Sequence, residues 1–284
     1  MISIIMNCYN GEAFLKKALR SVLTQNYQNW ELIFWDNMST DDSAKIFKSF
    51  KDQRFKYFLS KEHDLLYAAR NKAIDKSNGS FLAFLDVDDY WDPKKLSKQI
   101  NLFIDPKIGV VYSNFWIKNE INGKIRKFSY FKLPIGDVKD KLLRKYKVGL
   151  LTLIVRKSAF KEIGFNNKFH IIGDFDLCLR LSLNWKFAAV NQCLATYRWH
   201  GKNESIKNLI LQAQELMKWK KIFSKNLNEI ALKHIDDKIL RIEFQYYLSK
   251  KLYKHCFLNI KSMNYIVNKI KSVIQIIKTY IYAL

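Results

Sequence analysis

Three carboxylates fall within four residues in Asp86-Val87-Asp88-Asp89, directly after the apolar run Phe81 to Leu85. Like charges this close repel one another unless a cation or hydrogen-bond donors compensate. A hard divalent ion is the natural compensation, because Mg2+ and Mn2+ take a few carboxylate oxygens and keep positions open for diphosphate oxygens. The competing role is capping: Asp89 or Asp92 could cap a helix starting near Pro93, where proline suits the first turn. Two other apolar runs end in polar segments, Asn7-Cys8-Tyr9-Asn10-Gly11 and Asp36-Asn37-Met38-Ser39-Thr40-Asp41. Ser39 to Asp42 read as an ordinary helix cap. Asp36, immediately after Trp35, does not, and there a carboxylate or the Asn37 amide could accept the imide hydrogen of a pyrimidine base.

Such segments act together only if a scaffold brings their strand ends to one place. Ile2 to Met6 reads as a strand, followed by a helix over Glu12 to Gln25 with Leu15, Leu19, Val22 and Leu23 on one face. The alternation continues with strands at Glu31–Trp35, Phe55–Leu59 and Phe81–Leu85 and helices at Asp41–Phe50 and Leu65–Lys76. It predicts an α/β domain with a mostly parallel central sheet, whose ligands sit outside the carboxyl ends of the strands. From Gly109 to Arg156 the pattern loosens, with strand candidates at Val110–Ser113 and Leu150–Val155. Leu177–Leu183 reads as a helix, and the polar stretch Gly201–Ser205 closes the compact domain. The division is therefore 1–205 and a helical, basic region 206–284.

With 284 residues and 49% hydrophobic content the chain can bury a large core. A net charge of +23 implies an anionic partner: nucleic acid, an anionic membrane surface or a phosphorylated substrate. Part of that excess follows from a chain rich in Lys, Ile and Asn throughout. The carboxylate cluster argues against nucleic acid, since acidic groups repel a phosphate backbone, and no zinc-finger or aromatic RNA-binding motif is present. Cys8, Cys178, Cys193 and Cys256 show no CxxC spacing and read as reduced thiols of a cytoplasmic protein. No secretory signal and no apolar run of spanning length is found.

The ordered set Ile2-Ser3-Ile4-Ile5-Met6-Asn7-Cys8-Tyr9-Asn10, Trp35 to Asp41, Ala69-Arg70-Asn71 and Phe84 to Asp89 resembles family 2 glycosyltransferases of the GT-A fold, which build bacterial surface polysaccharides. Gly173-Asp174-Phe175-Asp176 resembles the family's acidic acceptor-side motif, and Tyr197-Arg198-Trp199-His200 its closing segment. The resemblance covers roughly residues 1–205 and implies a donor-binding half, about 1–114, and an acceptor half, 115–205. It implies a nucleotide-sugar site of Tyr9, Asn10, Asp36, Asn37, Arg70, Asp86 and Val87, with the base at Asp36 and Asn37, the ribose at Asp86 and diphosphate oxygens at Arg70. It gives a Mg2+ or Mn2+ ion to Asp88 and Asp89, with His200 completing the metal shell or touching the diphosphate, and the catalytic base to Asp174. Gly173 departs from the Glu that commonly precedes that base, and Asn7-Cys8 and Asn37 depart from the family's Pro-Thr and Asp.

The activity implied is inverting, metal-dependent transfer of a hexosyl or N-acetylhexosaminyl group from a nucleotide-diphosphate sugar, with UDP favoured, to a saccharide hydroxyl on a lipid-linked acceptor. A nucleotidyltransferase of related fold and a haloacid-dehalogenase-type phosphatase are the rival enzyme readings. The second is disfavoured because its motif belongs on the first strand. In the tail, Ile260, Met263, Val267, Ile270, Ile274, Ile277 and Ile281 recur at helical spacing among lysines. Such a helix could lie on an anionic membrane, placing the protein at the inner face of the cell membrane, or pack on the catalytic domain or on a second copy in a homo-oligomer.

Overall fold

The computed structural model describes residues 1–161, 163–201 and 203–281. In chain order the elements are β1 (Ile2–Cys8), α1 (Glu12–Leu23), β2 (Trp30–Asp36), α2 (Ser43–Ser49), β3 (Phe55–Leu59), α3 (Leu66–Asp75), β4 (Phe81–Phe84), β5 (Tyr90–Trp91) and α4 (Lys95–Ile100). Then follow β6 (Ile108–Asn119), β7 (Ile125–Lys127), α5 (Lys139–Arg144), β8 (Ile154–Arg156), α6 (Lys157–Lys161), α7 (Gly173–Asn184) and β9 (Lys186–Trp199). The remainder is helical: α8 (Glu204–Lys207), α9 (Leu209–Phe223), α10 (Glu229–Ser249), α11 (Tyr253–Ser262) and α12 (Ile266–Ile281). The chain divides into two compact units, 1–142 with 147–200, and 143–146 with 201–284.

The first unit is an α/β sheet in the order β3-β2-β1-β4-β8-β6-β9-β5, with β7 on β6. Strands β3, β2, β1 and β4 are parallel, β8 runs antiparallel between β4 and β6, and β9 returns parallel to β6. Strand β1 is covered on both faces, as its near-continuous apolar sequence requires of a central parallel strand. Ile2, Ile4, Met6 and Cys8 point to one face and pack with Leu15, Leu19 and Val22 of α1 and Phe47 of α2. Each of these fully buried aliphatic side chains contributes about 2 kcal/mol through lost water contact. Helix α3 packs near β1 and β2 through Tyr67, Ala73 and Ile74, all buried.

Three local expectations change. Leu150–Val155 is a 3-10 turn followed by the short β8, because the Thr152 hydroxyl donates to Gly149 O at 2.7 Å and turns the chain. The acceptor-side helix begins at Gly173 rather than Leu177, so Asp174 and Asp176 lie in its first turn, where the helix dipole favours carboxylates. Strand β9, 14 residues long, was not anticipated.

In the second unit Phe244, Leu248, Cys256, Ile260, Met263 and Ile276 form a small core. The tail pattern does not run as one helix. Buried Asp237 of α10 accepts the backbone N–H groups of Asn264 (2.6 Å) and Tyr265 (3.1 Å) and the Asn268 amide (2.7 Å), breaking the chain between α11 and α12. Ile260 and Met263 thus fall in the core, whereas Val267, Ile270, Ile274 and Ile277 are exposed. The side chain of Ile281 lies outside the described residues. Among the described residues, no helix is long and apolar enough to cross a membrane.

Candidate active site

Parallel register places Asp36 beside Cys8, and Phe84 beside Ile5, so the segments after β1, β2 and β4 leave the sheet at one edge. Asn10 and Met38 both take a left-handed backbone, with φ of +53° and +67°. Asn tolerates this region better than most residues. Asn10 Oδ1 accepts the Thr40 N–H at 2.8 Å, and the Asn10 N–H donates to Ser39 Oγ at 3.1 Å, tying the first loop to the second. Asp41 accepts the Glu12 N–H while Glu12 accepts the Asp42 N–H, both at 2.9 Å, so the starts of α1 and α2 are clasped reciprocally. Val87 of the third loop sits against Gly11, where a Cβ would lie 2.8 Å from its methyl group. Only glycine permits that approach.

Asp36 is buried, and its oxygens accept the Ser39 N–H at 2.7 Å and the Tyr57 hydroxyl at 2.6 Å. Burial first, then Asp36, pushes the Tyr57 hydroxyl well above the ordinary phenol range, so it remains a donor. The Asn37 amide donates to Asp64 O (2.9 Å) and accepts the Asp64 N–H (3.1 Å), pinning the loop that carries His63. The His63 ring packs against Tyr9 at a tilt of 55° with ring centroids 4.3 Å apart, and Tyr9 is 53% exposed. The exposed surface at this corner is therefore aromatic, and Asp36 and Asn37 stiffen it from behind.

The third loop turns tightly, with the Asp89 N–H donating to Asp86 O at 3.0 Å. The turn gathers Asp86, Asp88 and Asp89 so that ligand oxygens from all three lie within 4.8 Å of one another. Burial, then the charges of Asp88 and Asp86, push the Asp89 carboxyl well above the usual carboxylate range, against the opposing pull of Arg198. Asp89 accepts the Arg198 N–H at 3.0 Å, and the Arg198 guanidinium donates to the carbonyls of Asp88, Val87 and Phe14. His200 Nε2 lies 3.1 Å from Asp88 Oδ2, and its ring stacks on Phe14. Crowded carboxylate oxygens, two of them on half-buried residues, suit the oxygen preference of a hard divalent cation.

At three of the expected residues the structure adds contacts. Asp86, given to the ribose, stands within the carboxylate group. His200 reaches that group through Asp88. Arg70, given to the diphosphate, is 4% exposed and ion-paired with Asp86, with its guanidinium over the Tyr67 ring at 5.2 Å. An arginine so enclosed is neutralised by its neighbour and orients Asp86.

On the acceptor side, Tyr67 ties α3 to α7. Its hydroxyl lies 3.2 Å from Ile171 O, to which it donates, and 3.2 Å from the Asp174 N–H, which it accepts. A Cβ on Gly173 would lie 2.4 Å from the Tyr67 ring, so the glutamate common at this position in the family has no room beside this tyrosine. Asp176 is fully buried and accepts two hydrogen bonds from Arg180, at 2.6 and 2.9 Å; Arg180 is itself anchored on the carbonyls of Ile163 and Gly164. Asp174 is half-buried and outside that lock. Sequence reasoning did not find Tyr57, His63, Tyr67 or Phe14, and it named Arg198 only as part of the closing segment, without a role. Tyr67 lies three residues before Arg70 on one helix face, a spacing that could have pointed to it.

The chain is similar to known glycosyltransferases along most of its length. The UDP-Glc:alpha-D-GlcNAc-diphosphoundecaprenol beta-1,3-glucosyltransferase WfgD of Escherichia coli is 33% identical over 67% of this chain and 73% of its own. WfaP of Escherichia coli, of the same description, is 31% identical over 90% of this chain and 96% of its own. Among solved structures, S. aureus TarS 1-349 in complex with UDP-GlcNAc matches with a TM-score of 0.63 at 19% identity, covering 87% of this chain and 72% of that one. The mannosyltransferase PcManGT of Pyrobaculum calidifontis, in complex with GDP-Man and Mn2+, matches with a TM-score of 0.63 at 14% identity, covering 92% and 74%. These likenesses show the GT-A fold. The profile of glycosyl transferase family 2 matches residues 3–164, and with the relatives above it shows that the chain belongs to that family and is a glycosyltransferase.

Proposed function

We propose that this glycosyltransferase moves a hexosyl or N-acetylhexosaminyl group from a UDP-sugar to a saccharide hydroxyl on a lipid-linked acceptor, with inversion, in the assembly of a bacterial surface polysaccharide. The observation that carries the reading is the Asp86-Asp88-Asp89 group at the carboxyl edge of the parallel strands. The printed activities of WfgD and WfaP support UDP and a lipid-linked acceptor. Residues 1–205 would be the catalytic domain. Its donor half, 1–114, takes back Arg198 and His200 from the far end of that domain.

Asp88 and Asp89, with Asp86 beside them, would hold Mg2+ or Mn2+. When bound, such an ion neutralises diphosphate charge and so favours departure of the nucleotide. Arg70 orients Asp86, His200 orients Asp88, and Arg198 fixes the loop backbone. Tyr9 offers an exposed ring to the base, with Asp36 and Asn37 setting the corner behind it. Asp174 takes the proton of the acceptor hydroxyl. The hydroxyl oxygen bonds to the anomeric carbon from the face opposite the diphosphate, and the bond to that diphosphate breaks, its electron pair leaving with UDP.

The test is incubation with UDP-Glc, UDP-GlcNAc and GDP-Man, Mn2+ and a polyprenyl-diphosphate GlcNAc acceptor, with product mass and released nucleotide measured. Acceptor-dependent release of UDP with gain of one sugar is expected. Formation of a UDP-sugar from UTP and a sugar 1-phosphate, with release of pyrophosphate, would point to a nucleotidyltransferase.

A further inference from the structure

Helix α12 faces the wrong way for a helix surrounded by water. Ile266, Val267, Ile270, Val273, Ile274 and Ile277 form one apolar stripe, and each is between 40% and 70% exposed. An amphipathic helix ordinarily turns such a stripe to the core. Here the polar side is turned inward: Asn268 donates to Asp237 and accepts from Arg241, and Ser272 is buried with its hydroxyl on Met263. Among the described α12 isoleucines only Ile276 joins the core. The Asp237 contacts at the start of α12 fix this rotation, so the outward stripe is built into the unit. Phe257 and Leu258 of α11 are also exposed, at 57% and 55%.

The charge around the stripe selects its occupant. From Phe244 to Leu284 the sequence holds seven lysines and no Asp or Glu. Lys250, Lys251, Lys254, Lys261 and Lys271 are exposed. A second copy laid on this surface would bring two lysine-rich faces together with no acid to pair them. A nucleic acid would meet the lysines and leave the isoleucines in water. An anionic bilayer satisfies both, taking the apolar side chains below its headgroups and the ammonium groups against its phosphates. We infer that the outer face of α12, with Phe257 and Leu258, is a docking surface for an anionic lipid membrane. The inference stands on this unit alone and is independent of which donor or acceptor the catalytic residues use.

The test uses the full chain in co-sedimentation with vesicles of phosphatidylcholine alone and of phosphatidylcholine with phosphatidylglycerol. Binding should require the anionic lipid. Combined Ile270→Ser, Ile274→Ser and Ile277→Ser should lower the partition by about tenfold or more. Lys271→Gln, a conservative change, should lower it by about fivefold, and raised salt should weaken binding without abolishing it. All positions are exposed, so far-UV circular dichroism and UDP release should match the parent protein. Binding that survives the isoleucine changes, or vanishes entirely in salt, would overturn insertion of the stripe. Sedimentation velocity covers the other occupant: a dimer that the serine variant converts to monomer would assign the face to a second copy instead.

Discussion

Two sets of carboxylates share one edge of the sheet, and the protein treats them differently. Asp36, Asp41 and Asp64 are satisfied by their surroundings: Asp36 by Ser39 and Tyr57, Asp41 by Glu12 and Ser43, Asp64 by Lys72 and Ser60. Each is spaced from the others and holds a loop or a helix start. Asp86, Asp88 and Asp89 are crowded on one turn, and Asp89 carries a carboxyl pushed up by burial and by its two neighbours. The first set is spaced apart on loops and helix starts, whereas the second, although Arg70, His200 and Arg198 each reach it, is held in one crowded turn. The carboxylates that the fold forces together against their repulsion are the ones proposed to take an external cation.

The sharpest way to break this contrast is to exchange roles across it. Asp88→Asn should cost several kcal/mol of transition-state stabilisation, about a thousandfold in turnover, with EDTA mimicking the loss in the parent protein. Steady-state UDP release measures it, and full turnover by the mutant without added metal would remove the metal assignment. Asp174→Asn should lower kcat by about a hundredfold or more while UDP affinity is unchanged, since a base acts on the acceptor. Asp176→Asn removes the carboxylate partner of half-buried Arg180 from a fully buried position, so it should appear in the melting temperature, at about 3 kcal/mol, with a smaller effect on kcat. If Asp176→Asn is the more damaging to kcat in a protein of unchanged stability, the base has been assigned to the wrong carboxylate.

Among the satisfied carboxylates the effects should be smaller. Asp36→Asn keeps one acceptor for Ser39 or Tyr57 and loses the charge-assisted pair, costing about 1–3 kcal/mol of stability and raising KM for the donor more than it lowers kcat. Glu31, at the opposite end of β2, has no part in the site. It accepts from Ser3 at 2.6 Å, Lys56 at 2.5 Å and the Asn78 N–H at 2.6 Å. Burial opposes its charge, but Lys56, Ser3 and Asn78 hold its carboxyl at about 2. Because the folded value is depressed, its stabilisation is complete above the ordinary value of 4.5 and is lost as pH falls through about 2. Glu31→Gln should therefore flatten the acid limb of a stability–pH curve without changing UDP binding at neutral pH.

The same contrast shows what a sequence discloses. The early elements were legible because short continuous apolar runs alternate with helical patterns: expected Leu65–Lys76 is α3 at Leu66–Asp75, and Ile2–Met6 is β1 at Ile2–Cys8. The crowded triplet was legible because its residues are neighbours in the chain. Strand β9 was not, because its apolar residues are interspersed with polar ones and its partner β6 lies far back in the sequence. Arg198 stood in the closing segment, but its role was not legible for the same reason, since it reaches the Asp86–Asp89 loop only when the fold closes. Asp36 was expected at the nucleobase, and its hydrogen bond from Tyr57 of β3 was not legible, because the two residues lie 21 positions apart. The break between α11 and α12 depends on Asp237, 27 residues before Asn264, which no local pattern reveals.

Calorimetric titration of UDP into the protein, with Mn2+ and with EDTA, tests the central claim most directly when run on the parent chain, Asp88→Asn and Asp36→Asn. Binding should require Mn2+ in the parent, weaken by about tenfold or more in Asp88→Asn, and keep its metal dependence in Asp36→Asn. UDP affinity that is equal in EDTA and Mn2+, or unchanged in Asp88→Asn, would contradict the assignment of the crowded carboxylates to a cation.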